Sequence, residues 1–101
     1  MNINERMATE VMGWESYWNG YKRDKDDKYF YLRKKSDWHP DIRIDQAMMC
    51  AEKSGVVMRI ELMASAGYAV RIGHSIFRTG NKYEELPLAI CEAILEAMGV
   101  K

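Results

Sequence analysis

The sequence predicts an α+β domain: a small, largely antiparallel sheet with about three helices, in an α/β/α sandwich-like arrangement. Three observations carry this. Apolar residues recur at helical spacing in three segments, near residues 3–12, between Asp41 and Gly55, and from Pro87 to Gly99. Residues 56–63 and 68–73 alternate at period two with only a short loop between them, the signature of an antiparallel hairpin. Finally, Asn19-Gly20, between Trp18 and Tyr21, is a strong short-range hairpin signal, because both residues tolerate positive φ.

Each element has a local justification. Asn2 stands three residues before Glu5, as in a capping box, and Ile3, Met7 and Val11 form one apolar stripe. Gly13 suits the left-handed residue that stops a helix, and Trp14 follows, placed to fold back on the last turn. Residues 14–36 read as extended chain, with a charged tip over 22–28 and a strand over 29–34. In that strand Tyr29, Tyr31 and Arg33 share one face, and Phe30, Leu32 and Lys34 the other. Trp38-His39-Pro40-Asp41 reads as a turn into the second helix, with Asp41 as its N-cap, Ile44, Ala47, Met48 and Ala51 as its buried stripe, and Gly55 as its stop.

In the first strand of the later hairpin, Met58, Ile60 and Leu62 alternate with Arg59, Glu61 and Met63. In the second, Tyr68, Val70 and Ile72 alternate with Ala69 and Arg71. Residues 74–79 continue that strand or bend it after Gly73. Pro87 is a favoured first residue for the last helix, whose expected stripe is Ile90, Ala93, Ile94 and Ala97. With no repeat, low-complexity tract or linker, residues 1–101 read as one domain.

Composition narrows the functional classes. Fifteen basic and fifteen acidic residues cancel, which argues against a generic nucleic-acid or membrane-surface binder. The first residues carry no apolar signal segment, and no apolar run approaches the roughly 20 residues that span a bilayer. Cys50 and Cys91 form neither a CxxC pair nor a zinc pattern, so they read as buried, reduced thiols of a cytoplasmic protein. The chain lacks a Gly-rich phosphate loop, an HExxH motif and a GxSxG elbow. His39 and His74 are its only histidines. His74-Ser75 lacks a visible third group and oxyanion hole, and His39 reads as part of a turn. Asp24-Lys25-Asp26-Asp27 suggests a calcium loop, but Tyr29 and Lys35 stand where Gly and Glu are required. The expectation is a protein without catalysis, metal or cofactor.

The segment 14–38 argues for binding. It holds eight of the eleven aromatic residues, and residues 22–35 add seven basic and three acidic side chains. A small domain does not easily bury so many rings beside so many charges. Trp14, Phe30, Leu32 and Trp38 are the expected core members. Trp18, Tyr21, Lys22, Arg23, Tyr29, Tyr31 and Arg33 are the candidate binding residues, the first four around a hairpin turn where core space is scarce.

The run Leu86-Pro87-Leu88-Ala89-Ile90-Cys91-Glu92-Ala93-Ile94-Leu95-Glu96-Ala97 resembles the closing helix of the phage α/β/α-sandwich family, small proteins of Bacillus and related phages and prophages. Met1-Asn2-Ile3-Asn4-Glu5-Arg6, the run Val11-Met12-Gly13-Trp14, and the helix from Ala47 to Glu52-Lys53 also resemble it. The match covers about two-thirds of the chain. Met48 stands where the family often has Trp, and segment 14–38 has no family template. The resemblance implies helices on both faces of a small sheet and a phage or prophage origin; it carries no established activity and no catalytic residues. A non-enzymatic accessory protein that binds a host or phage protein is the expected function, inhibition of a bacterial defence system being one such role. Capture of a nucleotide signal or single-stranded nucleic acid is the first alternative. A minor virion or assembly component, working as a homo-oligomer, is the second.

Overall fold

The computed structural model describes residues 2–18, 20–22, 32–63, 67–79 and 83–99. Helix α1, Ile3–Arg6, starts as its sequence dictates: the Asn2 side chain accepts a 2.9 Å hydrogen bond from the Glu5 N–H. The helix then widens into a π turn over Met7–Val11, where the Met12 N–H donates to Met7 O at 3.0 Å. Gly13 takes φ 72° and ends it. The Trp14 N–H reaches back to Ala8 O at 3.0 Å, one residue further than an ordinary helix closure, because the wide turn holds one more residue. Met7, Ala8 and Val11 are buried, so the stripe read from the sequence is the core face, with Ala8 added by the wider turn.

The antiparallel strands form two sheets. The first joins β1 (Glu15–Ser16), β2 (Gly20–Lys22) and β3 (Leu32–Lys34) in that order, with Glu15 opposite Lys22, Ser16 opposite Tyr21, and Tyr21 opposite Arg33. The chain reverses one residue earlier than Asn19-Gly20 predicts: the Tyr17 N–H donates to Gly20 O at 2.8 Å, and Gly20 is a buried strand residue. The expected strand over 29–34 is described only from Leu32, and residues 29–31 lie outside the described residues.

A short 3₁₀ turn, Lys35–Asp37, leads to helix α2, Ile44–Ser54. Asp41 is not its N-cap. The Ile42 and Arg43 N–H groups both bond His39 O, and the Asp41 N–H is held by the Asn4 side chain at 3.2 Å, so the chain turns once more before helix begins. Gln46 fastens this turn to the helix. Its side-chain oxygen accepts from the His39 N–H at 2.6 Å, and its amide donates to Asp37 O at 2.7 Å. The inner face of α2 is accordingly Gln46, Ala47 and Cys50, rotated from the expected stripe, and Met48 is exposed. Gly55, at φ 69°, closes it.

The second sheet is an antiparallel meander of β4 (Arg59–Met63), β5 (Gly67–Ile72) and β6 (Ser75–Arg78). Ile72 pairs with Ser75, so the chain turns tightly through Gly73 and His74 rather than continuing. Helix α3, Leu86–Ala97, lies against β5 and β6 on one side and against α2 and the π turn on the other. That position explains its burial. Leu86, Pro87, Ala89, Ile90, Cys91, Ala93, Ile94 and Leu95 are all buried, more of the circumference than one stripe, whereas Ala97, expected inside, is exposed. Tyr68, Val70, Ile72 and Phe77 face the core, while the other face of this sheet carries Arg59, Glu61, Arg71 and Arg78 rather than a second packed helix among the described residues.

Cys50 and Cys91 are free and buried in the same core. Burial pushes the Cys50 thiol up to about 12 and the Cys91 thiol higher still, and the Cys91 thiol donates to Pro40 O at 3.2 Å. Neither is poised as a nucleophile.

Replacing Gln46 with Leu keeps the volume but leaves the His39 N–H and the Asp37 carbonyl without this partner in a partly buried place. Urea denaturation of Gln46→Leu is expected to show a loss of about 2–3 kcal/mol; a loss within experimental error would mean that the turn holds itself.

Candidate functional site

The candidate site grows from the first sheet. Trp14 and Trp38 are both buried, with ring centroids 4.6 Å apart, and Tyr21 lies 6.2 Å from Trp14. The Trp38 indole N–H donates to Asn4 O at 2.8 Å, so the ring cluster is tied to helix α1 as well as to the sheet. Lys35 completes the base. Its ammonium stands 5.3 Å from the centre of the Tyr21 ring and bonds Glu5 Oε1 at 3.0 Å. Ser16 Oγ also reaches that carboxylate oxygen, at 3.3 Å.

On this base the β1–β2 hairpin carries Trp18, which is 91% exposed. Tyr17, beside it, is partly exposed and donates its hydroxyl to Glu15 Oε2 at 2.9 Å. That bond, with some burial and the nearby negative charge, raises the Tyr17 phenol above its ordinary value. The hairpin therefore presents a bare indole on a tightly packed root.

Of the residues the sequence offered for binding, Trp18 is on the surface and Lys22 is half-buried on β2. Tyr21 is corrected: at 3% exposure it is a root residue, not a surface anchor. The strand places it on the face toward Trp14, and the removal of its hydroxyl from water, followed by the Glu5 charge, raises its phenol. Arg33 sits on β3 opposite Tyr21; its side chain lies outside the described residues, as do Arg23, Tyr29 and Tyr31 entirely. Asn4, Glu5 and Lys35 complete the root, and the sequence did not mark them as part of this site. The Lys35–Glu5 contact spans 30 residues, so no local pattern signals it.

His39 and His74 lie apart from this root. His39 Nε2 is 2.8 Å from Ser36 O, which makes that nitrogen the donor, and His74 is exposed in the β5–β6 turn. Among the described residues no group of three His, Cys, Asp or Glu side chains could hold a metal ion, and no helix is long and apolar enough to cross a membrane.

A second surface lies on the other sheet. An open groove of about 620 Å³ is lined by Val57, Met58, Arg59, Arg71 and Gly73. Glu61 bonds Arg71 at 3.0 Å and stands 3.6 Å from Arg59, one carboxylate between two guanidinium groups.

Among the described residues, three helices and two small antiparallel sheets define a compact α+β fold. The same fold is found in a phage protein from Bacillus cereus ATCC 14579, known from its crystal structure, with a TM-score of 0.62 and 20% sequence identity over 98% of this chain and 86% of that one. No family model and no curated protein matches the sequence.

The Glu5–Lys35 pair makes the root sensitive to acid. The hydrogen bond from Lys35, and then its charge, hold the Glu5 carboxyl below its ordinary value of 4.5, against a smaller opposing effect of burial. A depressed folded-state value means stability that is present above that ordinary value and is lost as pH falls through the lower folded one. Thermal unfolding of the wild type is expected to lose more stability below about pH 4.5 than Lys35→Met does; parallel acid profiles would remove the pair from the account.

Proposed function

We propose that this chain is a non-enzymatic phage or prophage accessory protein that binds a host or phage protein through its first hairpin, with Trp18 as the anchor. Inhibition of a bacterial defence system would be one such role. The observation that carries it is the contrast between the hairpin turn and its root: Trp18 is almost wholly exposed, while Trp14, Tyr21 and Trp38 at the root are almost wholly buried. A fixed root spares the ordering cost of a floppy anchor, and tryptophan is among the side chains that dominate interface energies. The phage protein that shares the fold supports the proposed origin.

A bare indole on a packed root suits a partner surface that offers an apolar pocket. Zero net charge also suits a protein partner better than a polyanion.

The test is capture from a Bacillus host lysate with wild type and Trp18→Ala, a substitution that leaves the buried root untouched. The expected result is a host protein whose purified form binds the variant about 30-fold more weakly, the effect of losing a hot spot worth about 2 kcal/mol. Equal binding by both proteins, or no protein retained, would reject the reading. Nucleotide absorbance travelling with the purified chain would then point to the ligand-capture alternative.

A further inference from the structure

We propose that β4 is a self-association edge: two copies of this chain pair β4 with β4 antiparallel about a two-fold axis at Ile60, joining two three-stranded sheets into one of six. The first observation is uncovered apolar surface. Helix α3 runs along β5 and β6 and leaves β4 at the margin. Ile60 and Leu62 lie on the same face as Val70 and Tyr68, their partners on β5, yet they are 36% and 70% exposed. A strand whose core-facing residues lack a core is completed by a neighbour that supplies one.

The second observation is the edge itself. Among the described residues β4 pairs with β5 alone, so its outer row of backbone N–H and C=O groups is open to another strand.

The third is the order of charges, which selects both the occupant and the register. Residues directly opposite in an antiparallel pair share a face. With the axis at Ile60, Ile60 meets Ile60 of the partner subunit, Leu62 meets Met58 of the partner subunit, and Arg59 meets Glu61 of the partner subunit. Apolar residues gather on the helix side and opposite charges on the other. A register shifted by two residues places Glu61 against Glu61 of the partner subunit, or Arg59 against Arg59 of the partner subunit. A shift of one turns the apolar row onto the charged face. Of the registers centred on residues 59 to 61, only that at Ile60 avoids both penalties, and it is the one that sets Arg59 against a carboxylate.

The pairing also extends a charge arrangement within the chain. Arg59 stands directly opposite Arg71 on β5, and Glu61 lies between them, bonded to Arg71 at 3.0 Å and 3.6 Å from Arg59. In the dimer each Arg59 gains a second carboxylate directly across the new strand pair.

A charge-swap experiment tests the register. Sedimentation velocity of the wild type is expected to show a species of twice the 11.8 kDa chain mass as concentration rises. Arg59→Glu alone and Glu61→Arg alone each place like charges opposite one another, and each is expected to sediment as a monomer with an unchanged far-ultraviolet circular dichroism spectrum. Mixed in equal amounts, the two variants are complementary at both positions and are expected to restore the dimer. A wild type that is monomeric at every concentration would overturn the proposal. So would a dimer that both single variants retain, or a mixture that stays monomeric while both variants are folded. Should either variant unfold, hydrogen exchange of the wild type decides: residues 59–62 must gain amide protection with concentration, and concentration-independent exchange there would overturn it equally.

Discussion

The indole of Trp38 joins the first sheet to helix α1 and to the turn before α2. Its ring packs on Trp14 at the root of the first sheet, its N–H bonds the Asn4 carbonyl of α1, and its backbone begins the turn that Gln46 locks onto α2. It is one of the largest side chains in the core and is almost fully buried. Two adjacent aromatic rings contribute about 0.5–1.5 kcal/mol beyond the area they bury, and a satisfied indole N–H avoids the cost of a stranded donor. The Trp18 hairpin inherits its orientation from this packing.

Helix α3 plays the corresponding role for the second sheet. It stands between β5 and β6 on one side and α2 with the π turn on the other, which is why it is apolar around most of its circumference. The two sheets thus approach the helices by different means, one through the Trp14–Tyr21–Trp38 ring cluster and one through the mixed face of Tyr68, Val70, Ile72 and Phe77. Each leaves something uncovered. On the first sheet it is Trp18; on the second it is the β4 edge with Ile60 and Leu62. An exposed apolar residue is ordinary by itself. Trp18 and the β4 edge differ from an isolated exposed residue in that each belongs to an element whose neighbouring residues are packed or charge-paired.

Much of the fold was legible because its signals are local. Asn2, Gly13 and Gly55 mark helix ends through contacts within a few residues, and the alternation of 58–62 and 68–72 defines a hairpin that needs no distant partner. What was not legible depends on contacts across the chain. The π turn at Met7–Val11 has no composition of its own. Met48 and Ala97 fit apolar stripes by spacing, yet the buried face of α2 is set by the Gln46 bonds to the turn before it, and Ala97 lies past the part of α3 that others cover. The candidate site divides in the same way. The Asn19-Gly20 signal located a hairpin to within one residue and so located Trp18. It did not separate Trp18 from Tyr21, because only Trp14, Lys35 and Glu5 decide which ring is inside, and Glu5 and Lys35 meet from 30 residues apart.

Hydrogen exchange of the tryptophan indole N–H protons, followed by nuclear magnetic resonance, tests this account most directly. The Trp38 indole proton is expected to exchange as slowly as the backbone amides in the centre of α3, because both open only when the core opens. The Trp18 indole proton is expected to exchange at once. Rapid exchange at Trp38, with α3 still protected, would mean that the aromatic root opens independently of the helices and that no fixed platform holds the hairpin.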